Sequence, residues 1–142
     1  MRNISTKLII GLAIIATGAL AADSSLGTWK LNMEKSKFSP SAPVKSLTSV
    51  REASDDGVKV STTGEGADGT AINGGYTAKY DGKDCPATGL PYDTIAIDRI
   101  DENTLSVKTK KTGTKYSATG RSVISNHGKT LTTTSKGTNA DG

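Results

Sequence analysis

Arg99 stands in the run Thr94-Ile95-Ala96-Ile97-Asp98-Arg99-Ile100, where strict alternation puts it on the same face as Ile95 and Ile97. In the neighbouring run Tyr76, Ala78 and Tyr80 alternate in the same way with Thr77 and Lys79, and Tyr116 is of similar character. A guanidinium held among tyrosine hydroxyls on an otherwise dry face is a bidentate receptor for a carboxylate. Arg99, Tyr76 and Tyr80 therefore predict the capture of an anionic head group, with Ile95, Ile97, Leu105 and Val107 as apolar lining behind it. The alternative is that Arg99 snorkels from a strand end ahead of the Asp101-Glu102-Asn103 turn and serves no ligand.

Covalent and acid–base chemistry find no comparable arrangement. Cys85 is the single cysteine, so no internal disulfide staples the chain. A catalytic thiol wants a histidine partner, and the single histidine lies in Asn126-His127-Gly128, which reads as a solvent-facing turn. Cys85 is then a half-buried filler, with intermolecular pairing as the other reading. One histidine and one cysteine do not make a four-ligand zinc site. The adjacent carboxylates Asp55-Asp56 and Asp101-Glu102 sit at turns, where aspartate bonds its own backbone, rather than facing each other across a cleft. Gly64-Glu65-Gly66-Ala67-Asp68-Gly69 is glycine-dense, but no helix follows to cradle a phosphate, so it reads as a hairpin tip. The expectation is a non-catalytic protein with neither cofactor nor metal.

The chain opens with Arg2 and Lys7, then the apolar run Leu8 to Ile15, then Ala19-Leu20-Ala21, the order of an export leader. Residues 1–21 are expected to be removed, leaving a domain over residues 22–142. The apolar run is shorter than the roughly 20 residues of a spanning helix, so no stable membrane insertion is expected after cleavage. Without Arg2 and Lys7 the 18 basic residues become 16 against the same 14 acidic ones, a net charge of +2 rather than +4. Lysines and carboxylates are scattered, with no stripe for a phosphate backbone, which excludes nucleic acid as a partner. The expected location is periplasmic or secreted.

The remaining chain is punctuated about every 10 to 15 residues by residues that tolerate tight hairpin turns. Asp56-Gly57, Asp68-Gly69, Asp81-Gly82, Asn103, Gly113 and Asn126-His127-Gly128 supply them. Between them lie segments rich in Thr, Val, Ile and Tyr, several alternating apolar with polar, as in Leu105/Val107 against Ser106/Lys108. No stretch after the leader shows a 3.6-residue apolar repeat. The expectation is an all-β antiparallel up-and-down meander of about 8 to 9 strands, closing completely or incompletely into a barrel, or else a strongly curved open sheet. Ser39-Pro40-Ser41-Ala42-Pro43 interrupts any ladder after the first of these strands and reads as a loop at one mouth.

Gly27-Thr28-Trp29-Lys30-Leu31 resembles the Gly-x-Trp opening of the calycin barrels, and its wording is similar to the first strand of intracellular fatty-acid-binding proteins. The run of Asp-Gly hairpins is similar to that of small exported bacterial proteins of lipocalin-like type. The resemblance implies that Trp29, following Gly27, plugs the closed end and that an arginine from a late strand lies across its ring. Arg121 is the candidate, and such a stack gains about 0.5–2 kcal/mol. The chain departs from those families in having only the proline loop where fatty-acid-binding proteins have a helix pair. It also lacks a Thr-Asp-x-x-Tyr lipocalin signature and a late helix.

Much of the apolar content is alanine, which leaves little bulk for a wide interior. Either the barrel holds a cavity for a small amphipathic or hydrophobic ligand, lipid- or fatty-acid-like, or it collapses around threonine-lined seams and works as a structural or interaction module of the envelope. Gly137 to Gly142 reads as a turn with no return strand after it. The expectation is a truncated sequence or an unsealed seam between first and last strands, open to self-association by strand addition. For the leader, intact-mass analysis of the exported product should show a chain starting at Ala22 or Asp23; a folded, soluble product still carrying Met1 would contradict it.

Overall fold

The computed structural model describes residues 4–12, by their backbone, together with residues 23–125 and 128–142. The leader's expected cutting point and His127 with its neighbour Asn126 lie outside the described residues. Ten strands follow in chain order: β1 (Ile4–Leu12), β2 (Gly27–Leu31), β3 (Val44–Ser54), β4 (Gly57–Gly66), β5 (Ala71–Lys79), β6 (Cys85–Thr88), β7 (Thr94–Asp101), β8 (Thr104–Lys110), β9 (Ser117–Ile124) and β10 (Thr130–Thr138). Among the described residues there is no helix.

From β2 to β10 each strand pairs antiparallel with the next, an unbroken nine-strand up-and-down meander. It is a nearly closed barrel compatible with a calycin-like fold. β2 and β10 are not partners of each other, so the meander keeps a seam. β1 lies in that seam, antiparallel to both, with Ile4 to Gly11 opposite Gly137 to Thr130 and Ile10 to Leu12 opposite Leu31 to Trp29. The ring is complete only with this segment in place.

Alternation carries the core. Val58, Val60 and Thr62 point inward from β4, Ile95 and Ile97 from β7, and Leu105 from β8, all buried. The aliphatic ones pack with Ala78 and Ala87 into one cluster, and Tyr76, Tyr80, Cys85 and Val107 lean on it. Cys85 is thus a half-buried member of β6 at the core's edge. Trp29, Leu31, Ile124 and Leu131 form a second cluster, with Phe38, Val44 and Leu47 against it.

The glycine before Trp29 has a structural reason. Gly27 has φ +122°, a conformation that L side chains rarely adopt, so the chain can turn there from the end of the barrel into β2. Residues 23–26 cross that end. Ser24 Oγ donates to the Glu102 carbonyl and meets Asn103 Oδ1, each at 3.1 Å, and Trp29 Nε1 donates to the Ser25 carbonyl at 2.8 Å. Trp29 is 1% exposed.

Two expectations are corrected. Arg121 does not cover Trp29: it alternates with buried Ser122 on β9, so it faces outward and is exposed. The indole is covered instead by aliphatic neighbours and the crossing segment, and the arginine stacked on an aromatic ring is Arg99, 4.4 Å from the ring centre of Tyr80. The glycine-dense stretch is only partly a hairpin tip. Gly64 to Gly66 complete β4 and the turn follows, because β3 passes so close that a Cβ on Gly64 would lie 2.2 Å from the Ser46 carbonyl oxygen.

These placements separate two substitutions. Trp29→Ala should cost about 3–5 kcal/mol in urea unfolding, whereas Arg121→Ala should fall within about 0.5 kcal/mol of wild type. A large loss on Arg121→Ala would restore the stacked pair.

Candidate functional site

The two ends of the barrel differ in chemistry. At the end crossed by residues 23–26, Asp23 gathers its neighbours. Its carboxylate accepts from Tyr80 Oη at 2.5 Å, from Ser25 Oγ at 2.6 Å and from the Ser25 amide at 2.9 Å, and Arg99 Nη2 lies 3.2 Å away. Burial works to raise the Asp23 pKa, but the bonds from Ser25 and Tyr80 and the charge of Arg99 outweigh it, so the carboxyl titrates below its ordinary value. Burial, and then the bond to Asp23, push the Tyr80 hydroxyl up. This is a lock, with each charge already matched.

Above the lock the interior is hollow. A cavity of about 340 Å³ is lined by Trp29 and Leu47, by Val60 and Thr62, by Tyr76, Ile95, Ile97, Leu105 and Val107, and by the inner faces of β9 and β10. Towards the other end Phe38, Pro43, Leu90, Pro91 and Tyr92 border it, supplied by the loops between β2 and β3 and between β6 and β7. The proline loop read as lying at a mouth therefore does so. Five of the predicted contacts, Tyr76, Ile95, Ile97, Leu105 and Val107, share this wall.

Arg99 and Tyr80 do not line it. Arg99 has the inward parity read for it, but near the end of β7 that parity leads to Asp23 rather than into the cavity. The cavity's arginine is Arg51. On β3 the inward series is Leu47, Ser49, Arg51, opposite Thr62 and Val60 of β4. Arg51 Nε and Nη2 are buried and have no hydrogen-bond partner among the described residues.

Three pairs of hydroxyls on the wall, by contrast, bond each other. Ser49 Oγ pairs with Thr62 Oγ1 at 3.2 Å, Ser122 Oγ with Thr133 Oγ1 at 2.8 Å, and Thr109 Oγ1 with Tyr116 Oη at 3.5 Å. Tyr92, also missed from sequence because its loop has no period to read, lines the cavity as well. Burial and the neighbouring Tyr76 and Tyr116 raise its hydroxyl pKa far above the ordinary range, with Arg51 opposing them. It stays a neutral donor at any physiological pH.

The lock makes a pH-dependent prediction. A carboxyl whose folded pKa is depressed stabilises the fold fully above its ordinary pKa of about 4 and loses that contribution as pH falls through the folded value. At pH 7 wild type should exceed Asp23→Asn by about 1.5–3 kcal/mol, the worth of hydrogen bonds to a charged group. The gap should narrow only below about pH 4. Chemical denaturation at pH 7 and pH 3 measures it; an identical gap at both would refute a charge-based lock.

No protein-family model matches the chain, and no curated protein or solved structure shows significant similarity to it.

Proposed function

We propose that this chain is an exported, non-catalytic binding protein of lipocalin-like type, whose barrel interior takes a small amphipathic molecule with an anionic head and an apolar tail. The observation that carries this reading is Arg51. A buried guanidinium with donors left unmatched is costly, and Ser49 and Thr62 beside it bond each other rather than the arginine. A carboxylate entering the cavity would accept from Nε and Nη2 in the planar fork that arginine presents. Ile95, Ile97, Leu105, Val107 and Trp29 would take the tail.

The volume limits the tail. At about 30 Å³ per water-sized group, a cavity of about 340 Å³ holds on the order of a dozen non-hydrogen atoms, the size of a medium-chain fatty acid. The loops bearing Phe38 and Tyr92 lie at the end away from the Asp23 lock and are the natural entrance.

Decanoate and decanol, matched in length and differing in charge, test the assignment by titration calorimetry. Wild type should prefer decanoate, and Arg51→Met should weaken decanoate by about 1.5–3 kcal/mol, or roughly 10- to 150-fold, while leaving decanol nearly unchanged. Arg51→Met should also raise the melting temperature of the ligand-free protein, since it removes a buried unmatched charge. Equal affinity for acid and alcohol in wild type, or no binding of either, would overturn the reading.

A further inference from the structure

We propose that β10 is a concealed self-association edge, guarded by β1 and released to pair with β10 of a second copy of this chain when β1 is removed. The inference is independent of the ligand reading; it draws on the leader only for the event that releases the edge.

The argument starts from who occupies the seam. β10 pairs on one side with β9 and on the other with β1 alone, through eight residues from Ile4 to Gly11. β2 has only three residues paired to β1. Removal of β1 therefore leaves one long bare edge and one short one. A strand between them holds β2 and β10 two strand spacings apart, about 9.5 Å, too far for direct pairing without reshaping the barrel.

The segment that guards the edge is also the segment with a leader's composition. Ile-Ser-Thr-Lys-Leu-Ile-Ile-Gly-Leu comprises Lys7 and the first half of the apolar run. The next described residue after β1 is Asp23, fixed by Tyr80, Ser25 and Arg99. A cut before Asp23 detaches the guard and leaves the closed-end lock whole.

The bare edge suits a second copy. Thr-Leu-Thr-Thr-Thr-Ser-Lys-Gly-Thr is rich in β-branched residues, with a single lysine and no proline, so it carries few of the devices that protect edge strands. Antiparallel pairing is what β1 offers β10, and a two-fold axis pairs a strand antiparallel with its own copy. Full overlap of nine residues centres on Thr134, whose exposed side chain would face its counterpart on the outer surface. Inward residues Leu131, Thr133 and Ser135 keep their face, since such pairing preserves parity.

The test starts from the folded full-length chain with a site-specific protease sequence placed within residues 13–22. Sedimentation velocity should show monomer before cutting and, once the freed peptide is separated, a dimer. An excess of synthetic ISTKLIIGL should return it to monomer. Thr134→Glu lies opposite Arg121 in register, which suits the β9–β10 pair, but opposes glutamate to glutamate across the two-fold axis. It should weaken dimerisation at least tenfold. Thr134→Cys with Cys85→Ser should cross-link on oxidation. A cut chain that stays monomeric, or one that associates or aggregates equally with Thr134→Glu, overturns the proposal.

Discussion

Asp23 decides which arginine is available. Among the described residues the barrel turns two guanidiniums inward, Arg51 from β3 and Arg99 from β7, and the chain crosses the closed end with one carboxylate placed against Arg99 and Tyr80. Once Arg99 is matched by Asp23 and stacked on Tyr80, it belongs to the wall. Arg51 keeps two buried donors unmatched. Had the crossing segment reached the other arginine, the cavity would be electrically quiet. The closed end is therefore both the anchor of Trp29, through Ser25, and the source of the cavity's polarity.

The hollow interior follows from the shortage of large side chains. Alanine occupies inward positions 78, 87 and 118, and Gly120 sits among the lining of β9. Around a barrel of this circumference such residues leave space that a bulkier set would fill. The serine and threonine hydroxyls on the same face avoid the cost of burial by pairing across neighbouring strands. Ser49 with Thr62 and Ser122 with Thr133 thus have partners in the wall itself, whereas two donors of Arg51 have none.

Alternation and turn chemistry were readable from the chain, because one face of each strand is dry and the hairpins need residues that tolerate tight turns. Ile95, Ile97, Leu105 and Val107 lie inward as their parity says. What parity does not tell is depth along the strand: Arg99 shares a face with Ile97 yet ends at the lock, two residues past the cavity wall. Arg51 is hard to read in the sequence for a different reason. Its neighbours Thr48, Ser49 and Val50 blur the contrast between faces, with the apolar valine outward and the serine inward. Counting back by two from Arg51 through Ser49 to Leu47 recovers the inward face. Arg121 shares parity with Val123, which a sequence reads as inward, yet the structure turns both outward and buries Ser122 and Ile124 instead.

A sheet that curls into a ring must also match its first edge to its last, and here the nine strands after Gly27 do not meet. The mismatch is one of length as well as distance, since β2 has five residues and β10 has nine. Direct closure would leave part of β10 without partners, and a strand long enough to cover it has to come from elsewhere. β1 has nine residues and engages eight of them along β10. The long edge therefore depends on β1, while the lock that holds the tryptophan depends on Asp23 and Ser25. The cavity's polar end and the seam are thus held by different stretches of chain, Asp23 against Arg99 and β1 along β10.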